Sequence, residues 1–196
     1  MLHDNNIILI GNPNNFAVSY SLDTDYGGKW LFGKICYHIN NTIIGDWEQG
    51  TSLCTVVSDL SRINGDSHNI YYQGRKESGF FYMDTHELLK RIDEYRGNKE
   101  SLYYLVANDR CYDRFNVALD DPTMVKWRVY LIEDSNKKKD FSCRARFIVL
   151  KYSELSKKYT FFFEHWILNV EFCDVVERVY HNLYRLYENE LVKNTS

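Results

Sequence analysis

Hydrophobic residues near the N-terminus occur in short runs that turn-forming residues interrupt. Residues 7–10 and 16–22 are two such runs, and residues 12–15 between them read Asn-Pro-Asn-Asn. Runs of this length bounded by turn residues are typical of β-strands. We therefore predict that the two runs are neighbouring strands.

A third run, residues 29–39, is rich in aromatic and β-branched residues, which strands favour. Asn40 and Asn41 follow it, and asparagine tolerates the positive φ that a two-residue hairpin turn requires. The pattern predicts a hairpin in which residues 42–46 return alongside residues 29–39. We expect this hairpin to be central to the fold, with Trp30 buried.

Helical spacing of apolar residues begins after Thr51. The residues with this spacing are Leu53, Val56, Val57, Leu60 and Ile63. Either Thr51 or Ser52 is expected to cap this helix. A second helix is predicted over residues 84–96. Residues 67–82 fit either a hairpin or an exposed aromatic loop, and residues 101–115 fit either a buried strand or an irregular helix.

The C-terminal half predicts strands followed by a long helix. A short strand is expected at residues 116–119, a wide hairpin from residues 125–133 and 143–152, and a further strand at residues 160–167. From Phe172 onward apolar residues recur at helical spacing. The whole pattern predicts a single domain over residues 1–196 of the α+β class. We expect a mostly antiparallel sheet with helices packed on one face, the long C-terminal helix among them.

Composition and charge narrow the functional classes. Hydrophobic residues make up 44% of the 196 residues, so the chain can bury a continuous core. The formal net charge is −3, which disfavours a main role in binding nucleic acid. The five cysteines include no C-x-x-C pair, which argues against a disulfide framework and favours a reducing compartment. Since the N-terminus lacks the features of a signal peptide, we expect a cytoplasmic protein that does not enter a membrane.

Sequence motifs of catalysis and of metal binding are not found. The six histidines show no H-x-x-x-H or H-E-x-x-H spacing, and Asp23-x-Asp25 lacks the continuation of a calcium loop. The Gly27-Gly28-Lys29 segment lacks the frame of a phosphate-binding loop. We therefore expect no metal, no cofactor and no enzymatic activity. An enzyme with a Cys/His site assembled in space is the least favoured alternative.

Basic and aromatic residues of the 125–152 hairpin are compatible with a different function, the binding of nucleic acid. Arg128 on one strand and Arg144 and Arg146 on the other are interleaved with aromatic residues, a composition that also binds nucleic acid. Alternation in a half-buried hairpin is the competing interpretation, with the arginines on the solvent face and the rings in the core. The acidic net charge favours this second interpretation, and a nucleic-acid-binding accessory protein remains the alternative function.

Several N-terminal motifs resemble the immunity protein 42 family of bacterial polymorphic toxin systems. They are Gly11-Asn12-Pro13, Phe16-Ala17-Val18, Trp30-Leu31-Phe32-Gly33, Ile44-Gly45-Asp46 and Thr51-Ser52-Leu53. The resemblance covers about the first 55 residues well and is weaker at residues 129–133 and 170–176. Residues 65–115 match no motif of the family. The chain departs from the family pattern at His38 and at Asn40-Asn41, where an aromatic residue and an Asn-Gly turn are usual.

The resemblance implies a small cytoplasmic protein that binds and neutralises a cognate toxin by direct protein–protein contact, without catalysis. We expect the partner to be a toxin domain. Many toxin domains act on nucleic acid through basic clefts, so carboxylates on the immunity protein would steer association.

Acidic and aromatic residues flanking the predicted hairpin supply the candidate binding patch. Residues 1–60 contain only two basic residues, Lys29 and Lys34, against six acidic ones. The hairpin geometry is expected to bring residues 46–48 close to the loop of residues 23–26. The residues that we assign to partner binding are Asp23, Asp25, Tyr26, Asp46, Trp47 and Glu48.

Overall fold

The computed structural model of the protein describes residues 7–64, 81–90, 115–134 and 143–193. Within these ranges the chain forms two antiparallel sheets, and a long helix follows the second sheet. The predicted α+β class, the antiparallel pairing and the long C-terminal helix are confirmed.

The N-terminal sheet consists of strands that neighbour one another in chain order. The strands are β1 (Ile8–Asn12), β2 (Phe16–Leu22), β3 (Phe32–Ile39) and β4 (Thr42–Ile44), and the short β5 (Thr51–Ser52) pairs with the start of β3. The two strands predicted on either side of residues 12–15 are confirmed as neighbours.

Asn40 and Asn41 close the β3–β4 hairpin as predicted. Their φ angles of 50° and 59° lie in the left-handed region, as a two-residue hairpin turn requires. However, β4 ends at Ile44, two residues earlier than expected. The chain leaves the sheet there because the Asp46 N–H donates to the Thr123 carbonyl, at 2.8 Å, instead of continuing the strand.

The predicted burial of Trp30 is wrong. Gly27 and Gly28 adopt positive φ angles of 65° and 59°, which glycine adopts at little cost, and the chain forms a 3-10 helix over Gly28–Trp30 before β3. The strand therefore starts at Phe32, three residues later than expected. The Trp30 side chain is 51% exposed, and the neighbouring Leu31 enters the core in its place.

The first helix, α1 (Leu53–Asn64), buries the apolar residues that the helical spacing predicted. The hydroxyls of Thr51 and Ser52 do not cap α1 as predicted, because each bonds another part of the chain. The Thr51 hydroxyl bonds the Asp121 carboxylate, and the Ser52 hydroxyl donates to the Trp30 carbonyl at 2.8 Å. Both hydroxyls therefore join neighbouring loops to the start of α1.

Residues 85–90 are helical and belong to the second predicted helix. Asp84 caps them, since its Oδ1 accepts hydrogen bonds from the N–H groups of His86 and Glu87 at 2.9 and 3.2 Å. The remainder of the predicted helix lies outside the described residues, as do residues 67–80 and 101–114, for which the sequence left two alternatives.

The second sheet and the C-terminal helix follow the prediction closely. The elements are β6 (Trp127–Glu133), β7 (Arg144–Ser153), β8 (Lys158–Leu168) and α2 (Asn169–Lys193). The predicted hairpin is β6–β7, and β8 pairs with β7 on its other side. In place of the strand expected at residues 116–119, Asn116 forms a single bridge with Tyr130.

One hydrophobic cluster joins both sheets to α1 and α2. Phe16 of β2 lies at its centre, with ring centroids 5.3 Å from Tyr37, 5.4 Å from Phe147 of β7 and 5.0 Å from Phe172 of α2. A smaller cluster on the opposite face of the second sheet includes Phe81. Strands β6 and β7 are therefore buried on both faces, whereas most residues of β8 are exposed or half-buried.

Four cysteines lie in the described part of the chain, and all four are free thiols. They are Cys36, Cys54, Cys143 and Cys173. Cys111 lies outside the described residues. No helix in the described ranges is both long enough and apolar enough to cross a membrane.

Candidate functional site

The first group of predicted site residues lies in the loop between β2 and β3. The Asp23 N–H donates to the Phe32 carbonyl at 2.9 Å, and Asp25 is exposed. Tyr26 is half-buried, and its hydroxyl donates to Oε1 of Glu190 at 3.0 Å. The structure therefore places Asp23, Asp25 and Tyr26 in one loop, and Tyr26 joins this loop to the last turns of α2.

The second group lies in the turn between β4 and β5. Oδ1 of Asp46 accepts a hydrogen bond from the N–H of Glu48 at 3.0 Å, so Asp46 stabilises the turn itself. Trp47 is half-buried and Glu48 is exposed. Because β2 pairs with one edge of β3 whereas β4 and β5 pair with the other, this group lies across β3 from Asp23 and Tyr26.

Glu190 receives a second hydrogen bond, from the Lys193 ammonium at 2.5 Å. The bonds from Lys193 and from Tyr26 lower the pKa of Glu190, because both stabilise its charged form. The Tyr26 loop is thus fastened to α2 by a carboxylate that stays ionised at neutral pH.

A groove of about 470 Å³ lies between α1 and α2, beside this loop. The α1 wall includes the hydroxyl side chains Thr55, Ser58 and Ser61, and the α2 wall consists of Tyr180, Tyr184 and Tyr187. We call this the tyrosine groove. Tyrosine is enriched at protein–protein interfaces because its ring is apolar and its hydroxyl makes hydrogen bonds.

The tyrosines of the groove are ordered by one another and by a carboxylate. The rings of Tyr180 and Tyr184 are stacked, with centroids 5.6 Å apart and planes inclined by 20°. Glu188 lies one turn after Tyr184 on α2, and the interaction of its carboxylate with the Tyr184 hydroxyl raises the pKa of Tyr184. The α2 wall therefore combines stacked rings with a neighbouring carboxylate.

The loop of residues 23–30 and the tyrosine groove adjoin one another. Tyr26 bonds Glu190, which is three residues after Tyr187 on α2, and the Trp30 carbonyl accepts from Ser52, directly before α1. The Lys29 ammonium lies 5.5 Å from the exposed Trp30 ring. We call the two together the loop–groove surface.

No sequence motif predicted the groove. Its signal lies in two helical patterns: tyrosines at positions 180, 184 and 187, and hydroxyl residues at positions 55, 58 and 61. Each set occupies one side of its helix because residues three or four apart are neighbours. Only the packing of α1 against α2, which the patterns do not specify, brings the two sets together.

The basic hairpin offers a poor surface for nucleic acid. Arg146, expected on a solvent face, is instead buried, and it forms an ion pair with Glu164 at 2.6 Å. The interpretation of Arg146 as solvent-facing is wrong because residues 81–85 cover that part of β7. The Arg128 guanidinium lies 4.6 Å from the centre of the Tyr159 ring. Two of the three arginines are therefore engaged within the protein.

Among the described residues, no three side chains of the metal-ligating types lie close enough together to hold an ion. No match to the chain is found among curated proteins, and none among solved structures. The sequence model of one family, described as immunity protein 42, matches residues 1–182. This match includes both sheets, α1 and the first half of α2, so the chain belongs to the immunity protein 42 family.

Proposed function

We propose that this protein protects a bacterial cell by binding a cognate polymorphic toxin directly in the cytoplasm and blocking its activity. The family match over residues 1–182 is the observation that carries the proposal. Binding, rather than catalysis, is the mode of action. Such a role needs a stable surface of exposed anchoring side chains, and the loop–groove surface has this character.

The chemistry of the loop–groove surface supports this use. Interface hot spots are enriched in tryptophan and tyrosine that stand on a rigid scaffold. Trp30 and Tyr184 are both exposed; the Ser52 hydroxyl holds the Trp30 backbone through its carbonyl, and the Tyr184 ring stacks on that of Tyr180. Large rings in fixed orientations lose little conformational freedom on binding, and they contribute affinity for this reason.

The direct test pairs this chain with the toxin domain encoded by the adjacent gene. Co-expression should restore growth that the toxin domain alone prevents, and the two purified proteins should form a stable complex in gel filtration. Protection without a complex would contradict inhibition by direct contact. If the toxin domain does not inhibit growth when it is expressed without this chain, the adjacent gene does not encode the cognate toxin.

The carboxylates of the β2–β3 loop and of the β4–β5 turn should accelerate association of this protein with the toxin. We expect reversal of Asp23, Asp25 and Glu48 to lysine to slow association with the toxin by roughly tenfold at low salt, because steering charges act mainly on the association rate. High salt should reduce the difference through screening. Stopped-flow or surface plasmon resonance measures the rate, and the melting temperature should change little.

Because Glu48 lies across β3 from the other two carboxylates, partial variants locate the face. Reversal of Asp23 and Asp25 alone should reproduce most of the effect, whereas reversal of Glu48 alone should have little. Equal association rates for the triple variant and the natural protein at low salt would place the toxin on another face.

A further inference from the structure

The charge distribution around the tyrosine groove is one-sided. Among the described residues that line the groove, none carries a positive charge. The Glu188 carboxylate lies one turn after Tyr184 and raises its pKa, and Glu177, which pairs with His181 at 3.6 Å, lies one turn before Tyr180 on the same side of the helix. Arg178 points along a different side of α2, where it pairs with Asp174 at 3.2 Å.

These groups together match a cation. The faces of tyrosine rings are negative and attract an ammonium or guanidinium group. The hydroxyl oxygens of Ser58 and Ser61 on the opposite wall can accept its hydrogen bonds. An acidic side chain would instead meet ring faces and carboxylates of its own sign.

We propose that the tyrosine groove receives a basic side chain, arginine or lysine, from the bound toxin. The inference rests on the proposed function, and it specifies the chemistry of one contact within that complex. A groove of about 470 Å³ is large enough for one long side chain together with part of its backbone.

Ser58 allows a test in which only the sign of a charge differs. Its side chain is exposed in the middle of α1 and lines the groove, and both lysine and glutamate are good helix formers. Ser58→Lys should weaken binding of the adjacent-gene toxin domain at least tenfold. Ser58→Glu should leave the affinity equal or tighter. Isothermal titration calorimetry gives both values, with melting temperatures as the control for folding.

The outcomes separate the two proposals. If the natural protein binds the toxin domain and both Ser58 variants bind it equally well, the groove inference is overturned while the proposed function stands. Equal weakening by lysine and glutamate shows a steric effect and also overturns it. If the natural protein does not bind, the proposed function fails first.

A probe that does not depend on the toxin completes the test. Titration with the peptide Gly-Arg-Gly should shift the ring resonances of Tyr184 and Tyr187 in an NMR spectrum, and the uncharged peptide Gly-citrulline-Gly should not. Ser58→Lys should abolish the shifts. Identical shifts with both peptides, or none with either, would reject a cation-binding groove.

Discussion

Replacing Phe16 by alanine should lower the free energy of unfolding by about 3–5 kcal/mol, the loss typical of a large buried ring. Phe16 is only 1% exposed, and its ring contacts Tyr37, Phe147 and Phe172. It therefore joins β3, the second sheet and α2 at one point. Since three elements are held by contacts to this ring, the surroundings cannot collapse into the cavity that its removal leaves.

Trp30→Ala is the matched control for Phe16→Ala. It also removes a large ring, but this ring is already 51% exposed, so the free energy of unfolding should change by less than about 1 kcal/mol. Urea denaturation followed by circular dichroism measures both variants. A loss for Trp30→Ala as large as that for Phe16→Ala would mean that residues 28–30 are buried, as the sequence pattern first indicated.

Replacing Glu164 by glutamine should destabilise the fold by about 2–3 kcal/mol. Its partner Arg146 has a side chain that is only 4% exposed, and Nη1 of Arg146 also donates to the Met83 carbonyl at 2.6 Å. Glutamine leaves this buried cation without a countercharge, a change that costs about 3–5 kcal/mol in a fully buried pair. We expect less here because the Glu164 side chain is 34% exposed and solvent screens it in part.

The same pair predicts a dependence of stability on pH. Burial disfavours the charged form of Glu164, but hydrogen bonds from Thr85 and Arg146 outweigh this and leave its pKa below the ordinary value. A depressed pKa contributes stability above the pKa of the unfolded chain, about 4.3, and this stability is lost as the pH falls below it. Between pH 5 and pH 3, which bracket the ordinary glutamate pKa of about 4.3, the free energy of unfolding should therefore fall less for Glu164→Gln than for the natural protein.

Glu154 provides the control for Glu164. It forms ion pairs of 3.7 Å with Lys126 and Lys157, but its side chain is 65% exposed. Exposed pairs contribute little, so Glu154→Gln should leave both the stability and its pH dependence unchanged. If the two glutamine variants gave the same pH profile, the Arg146 pair would not be the source of the acid sensitivity.

The strands and helices that the sequence predicted correctly are those specified by local physics. Asn40 and Asn41 adopt positive φ themselves, and the apolar spacing of α1 and α2 follows from helix geometry. Trp30 was misplaced because two glycines before it turn the chain, an effect that outweighs the strand preference of the aromatic run. Thr51 and Ser52 were misassigned because their hydroxyls bond distant residues.

The candidate site was less predictable because it depends on contacts between distant parts of the chain. The placement of Asp23, Asp25 and Tyr26 in one loop follows from their adjacency in sequence. Their proximity to Glu190 does not, since 164 positions separate Glu190 from Tyr26. The tyrosine groove likewise arises only when α1 packs on α2. The partner-binding role of the acidic and aromatic residues stays a prediction.

The packing of α2 against the N-terminal sheet also determines when that sheet becomes fully covered in a newly synthesised chain. Phe16 of β2 is shielded by Phe172, and Leu183 of α2 belongs to the same cluster. At roughly 5–20 residues per second, a ribosome needs about 10–30 s to proceed from the second strand to residue 183. During that interval the first sheet is exposed to chaperones and proteases. The N-terminal sheet therefore stays incompletely covered until translation is nearly finished, and α2 completes its burial last.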